Sequence, residues 1–107
     1  MSVMFFVLHC RHGRRSSWHC PQCEPLIVDM ANANACLMMQ FIGIRPRPTG
    51  TIRARLLASK CRRALPRIER EEFEDDYPVW EREYCRLRVR ELLELALVAG
   101  SSRVGWV

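Results

Sequence analysis

Residues 3–8, VMFFVL, are an unbroken run of apolar, β-branched and aromatic side chains, the pattern of a buried strand. The pattern then breaks into HCRHGRRSSWHCPQC, residues 9–23, a Cys/His loop in which Gly13 and Pro21, with Pro25 just beyond, mark turns. Asp29 is placed to cap a helix over MANANACLMMQFI that stops at Gly43, although Asn32 and Asn34 weaken its propensity. The RPRPTG that follows is a stiff, extended linker, because a residue preceding proline is pushed out of the helical region. Thr51 is placed to cap a second helix over IRARLLASKCRRAL. In that helix Leu57, Cys61, Ala64 and Ile68 share one side, Arg55, Arg62, Arg63 and Arg70 face away, and Pro66 interrupts or ends the helix. Past the acidic turn EEFEDDYP the clearest helix covers roughly 79–99. Cys85, Val89, Leu92, Leu93 and Ala96 repeat along it at helical spacing, and Gly100 ends it.

The expected architecture is therefore mainly α, a small α+β chain. A short N-terminal strand and the Cys/His loop (1–29) lead into an apolar helix (30–44), an Arg-rich linker and helix (45–73), an acidic turn and amphipathic helix (74–100), and a loose tail (101–107). At 107 residues this is one domain with a modest core. No apolar run reaches the roughly 18 residues that would span a bilayer, and MSVMFFVL has neither the basic leader nor the cleavage site of a signal peptide. The expectation is a soluble, intracellular protein with reduced thiols and no membrane partner, cytoplasmic or nuclear.

The net charge of +5 is unevenly spread. Residues 45–70 carry nine basic residues against one acid, whereas residues 71–94 carry nine acids against four arginines. The two blocks either serve an anionic partner or neutralise each other. Sixteen of the seventeen basic residues are arginine, which suits bidentate phosphate contacts but also follows from GC-rich coding.

Three histidines and three cysteines share residues 9–23. Cys10, His12, Cys20 and Cys23 make a C-x-H-x₇-C-x₂-C set, and zinc takes four such thiolate and imidazole ligands. The unit is as long as the retroviral-type zinc knuckle, but its internal spacings differ. Unligated thiols explain the residues equally well, and a redox pair would need a strand-to-helix setting that the prolines deny. Cys36, Cys61 and Cys85 fall on apolar helix faces and read as core.

The arginine segment has the charge density of a nucleic-acid-binding surface. Arg45, Arg47, Arg53, Arg55, Arg62, Arg63 and Arg67 would grip phosphates; Arg11, Arg14 and Arg15 would extend the surface, and Trp18 would stack an unpaired base. Such a combination favours RNA over the B-DNA major groove. In the last helix Val89, Leu92, Leu93 and Leu97 offer an alternative role, docking on a protein partner or a second copy of the chain. No phosphate loop, nucleophile elbow or HExxH helix is present, and four protein ligands would leave zinc no open position, so catalysis is not expected. The reading is a small accessory protein that binds RNA or another nucleic acid, with a possible structural zinc. The small size, the Cys/His knot and the Arg bias together look like a viral regulatory or silencing-suppressor product.

Overall fold

The computed structural model of the chain describes residues 2–9, 20–69 and 79–107. Among them, four antiparallel strands form one sheet: β1 (Ser2–Val7), β2 (Val28–Ala31), β3 (Gly50–Arg53) and β4 (Arg103–Trp106), in the order β2-β1-β4-β3. Three helices join them, α1 (Asn32–Ile42), α2 (Ala54–Glu69) and α3 (Val79–Ala99). This α+β fold corrects the mainly α expectation of one short strand and two to three helices. The strand at residues 3–8 and the three helices are there. Three further strands were hidden, two inside segments that read as helix starts and one in the tail.

The reasons are local. Asp29 and Thr51 precede helices and look like caps, but both are strand residues, and each strand runs straight into its helix. Ala31 stands at the cap position of α1 and makes no side-chain capping bond. The first amide of α2, Ala54 N–H, donates to Ser102 O across the sheet (3.0 Å), so it needs no side-chain cap. Residues 103–106 form β4 because the segment alternates: Val104 and Trp106 point to the core, while Arg103 and Gly105 point away. Pro66 neither breaks nor ends α2, which continues to Glu69. Gly43 (φ 83°) and Gly100 (φ 61°) end α1 and α3 in the left-handed conformation that glycine permits.

Register assigns the faces. Val3 lies opposite Met30, Phe5 opposite both Val28 and Trp106, and Val104 opposite both Val7 and Ile52. All of these belong to the buried core shared with the helices. Leu57, Cys61, Ala64 and Ile68 of α2, and Cys85, Val89, Leu92 and Ala96 of α3, close that core as their periodicity predicts, joined by Leu95 and Ala99. Cys36 departs from expectation: it is exposed on α1, whose buried side is Ala35, Met38, Met39 and Ile42. No helix among the described residues is long and apolar enough to cross a membrane.

Candidate nucleic-acid interface

α2 is apolar on one side and basic on the other. Burying Ala54, Leu57, Cys61, Ala64 and Ile68 forces Arg55, Arg62, Arg63 and Arg67 outward, and all four are exposed. At 1.5 Å per residue, Arg55 and Arg67 stand about 18 Å apart along the axis. Residues 44–68 contain no acid, and among the described residues Arg53, Arg55 and Arg62 meet no carboxylate. Arg63 donates to Ser59 Oγ one turn back (3.4 Å), which keeps its guanidinium along the helix surface. Two arginines of α3 behave differently: Arg86 pairs with Glu83 and Arg88 with Glu91 (2.8 Å), each within its own helix. The acidic turn itself lies outside the described residues.

Near its C-terminal end the basic side of α2 borders a cleft of about 530 Å³ against the end of α1, lined by Leu37, Gln40, Phe41, Lys60, Arg63 and Arg67. Arg67 sits over the half-buried Phe41 ring, 4.8 Å from its centre, as a cation does over an aromatic face. Lys60 Nζ donates to Gly43 O (3.0 Å), tying a positive charge to the carbonyl end of α1. At the other end of α2, Arg53, Arg55 and Arg103 surround a pocket of about 370 Å³ with Ser101 and Ser102. Arg45 and Arg47 are also exposed, and the main chain of Arg47 is held where its carbonyl accepts from Trp106 Nε1 (3.0 Å).

The remaining predicted site residues fare unequally. Cys10, Arg11, His12, Arg14, Arg15 and Trp18 lie outside the described residues. Cys20 and Cys23 are fully buried in one turn, closed by Cys23 N–H and Glu24 N–H donating to Cys20 O (3.1 and 2.9 Å). Among the described residues no group of three His, Cys, Asp or Glu side chains is gathered for a metal. The four residues of the expected docking face on α3 differ in exposure. Val89 and Leu92 are wholly buried in the chain's own core, Leu93 is half-buried, and Leu97 alone of the four is exposed, at 52 %.

Sequence reasoning missed Arg103, Ser101, Ser102, Lys60 and Phe41. The alternation R-V-G-W-V was the available signal for Arg103; the partners of Lys60 and Phe41 are set by helix packing and left no mark in the sequence. Compared with known protein families, curated proteins and solved structures, the chain matches none.

Proposed function

We propose that the chain binds nucleic acid, single-stranded RNA in the first place, through the basic side of α2 and its two flanking concavities. The observation that carries this reading is the set of exposed arginines Arg53, Arg55, Arg62 and Arg63 in a stretch without an acid, whereas Arg86 and Arg88 of α3 are paired within their own helix. Each phosphate met by such a row releases a condensed counterion, so the affinity is sequence-tolerant and depends steeply on salt. The Arg67–Phe41 pair at the lip of the cleft adds a flat cationic surface for an unpaired base. The same reading carries an intracellular location, where nucleic acid and reduced thiols occur together. In it Cys20 and Cys23 would supply half of a zinc-ligand set completed by Cys10 and His12.

The test is fluorescence anisotropy with a labelled single-stranded RNA of about 20 nucleotides, titrated from about 50 to 200 mM salt. Arg62 and Arg63 are exposed, so Arg62→Gln/Arg63→Gln leaves the core intact. That variant is expected to bind more weakly and to reduce the slope of log K against log salt by about 1.4, or ~0.7 for each phosphate no longer neutralised. Binding with the wild-type slope and affinity in this variant would remove α2 from the interface.

A further inference from the structure

β3 and β4 place Arg53 directly opposite Arg103, on the face of the sheet turned away from the core. Like charges facing each other across an antiparallel pair oppose folding, and sheets ordinarily put an acid or a neutral partner there. Here the third nearby charge is again positive, because Arg55, at the start of α2, lines the same pocket. Among the described residues the rest of the lining is Ser101 and Ser102, so three arginines and two serines border about 370 Å³ with no described carboxylate among them. Arg103 is held in place: its Nε and Nη2 both donate to Thr51 Oγ1 (3.2 and 3.0 Å), the diagonal neighbour on β3. Ser102 Oγ accepts from His9 N–H (3.3 Å), which brings the first residue of the Cys/His stretch to the rim. An anion between Arg53 and Arg103 would relieve this repulsion directly, and among the described residues no carboxylate stands there.

We infer that this pocket binds a phosphate monoester, the terminal phosphate of a nucleic-acid strand. The inference rests on the nucleic-acid reading and adds strand-end selection to it. A terminal phosphate carries more negative charge than a backbone diester and exposes three oxygens, which suits a pocket bordered by three arginines. The basic side of α2, by contrast, is a row, which suits successive diesters. The end of the strand sits among Arg53, Arg55 and Arg103, and the following nucleotides track along α2 toward the Phe41 cleft.

The experiment compares one RNA sequence bearing a 5′-phosphate, a 3′-phosphate or hydroxyls at both ends, with inorganic phosphate titrated separately in thermal melts. One of the phosphorylated strands is expected to bind about tenfold more tightly than the hydroxyl-ended strand. Arg103→Gln should abolish that preference, and Arg62→Gln/Arg63→Gln should weaken all three strands alike. Inorganic phosphate should raise the Tm of the wild type and not of Arg103→Gln. Equal binding of the three strands to the wild type overturns strand-end selection while leaving the α2 interface standing. If no strand binds, the nucleic-acid reading falls and the strand-end assignment with it. The phosphate melts then decide the pocket alone: an Arg103-dependent rise keeps an anion site there, and no rise removes it.

Discussion

At the residue scale, the tightest steric requirement is at Gly50. Gly50 faces Trp106 across β3 and β4, and the indole lies so close over it that a Cβ would stand 2.8 Å from Cε2 and Cη2. The ring cannot retreat freely, because its Nε1 is bonded to Arg47 O and its face packs against Phe5 with centroids 5.8 Å apart. Gly50→Ala is therefore expected to cost about 1–3 kcal/mol, the usual range for forcing a group into a packed site. Urea denaturation checks it, and a loss below the error of that measurement would mean that the indole has room to move. Gly105 is the milder case, since its Cβ would meet Phe6 Cζ at 3.1 Å. In the sequence, Gly50 reads as the end of a linker; its reason for being glycine is fifty-six positions away in Trp106 and invisible to any local pattern.

At the scale of elements, α2 and α3 each bring a thiol into the buried helical layer. Burial pushes the Cys61 thiol up from an ordinary 9.0 to about 12, and the Cys85 thiol to about 11. Below pH 9 folded and unfolded chains both keep these protons, and the thiols add no pH dependence. Above it the unfolded chain loses them first, so stability falls as pH rises, toward about 12 for Cys61 and 11 for Cys85. Cys61→Ala lowers stability at neutral pH through lost packing but removes one of these two losses. The gap between wild type and variant should therefore narrow by about 1.4 kcal/mol per pH unit above pH 9. Urea melts from pH 7 to about 11 test this; a constant gap would mean that Cys61 ionises as easily folded as unfolded. The burial behind this effect was legible, since Cys61 and Cys85 repeat in step with Leu57 and Val89 along their helices. The same rule misplaced Cys36, because α1 is apolar on nearly every side and its sequence does not say which side meets the sheet.

At the scale of the whole molecule, basic charge is concentrated where no described carboxylate meets Arg53, Arg55 or Arg62. The net charge is +5, and Arg53, Arg55 and Arg103 share one pocket. Screening this repulsion stabilises the free protein, while the same salt weakens its grip on phosphates. Raising sodium chloride from about 50 to 300 mM is thus expected to raise the Tm of the free protein by about 1–3 °C while RNA affinity falls. Thermal melts and anisotropy on one preparation check both signs. A Tm that falls with salt would show that favourable ion pairs outweigh the clustered arginines.

The sequence by itself determined the elements whose evidence is periodic and local: the strand at residues 3–8, the buried sides of α2 and α3, the glycine stops at 43 and 100, and the outward-facing arginines of α2. Tertiary structure decided what depends on partners distant in the chain. Four-residue strands such as β2, β3 and β4 bury too little by themselves to leave a clear signature, and they form because neighbours complete their hydrogen bonds. β4 is the plainest case, a segment that reads as a loose tail and becomes the strand bonded to both β1 and β3. The pocket at Arg53 and Arg103 follows from that pairing. Fifty positions separate the two arginines in the chain, and only the register of β3 against β4 sets their charges face to face.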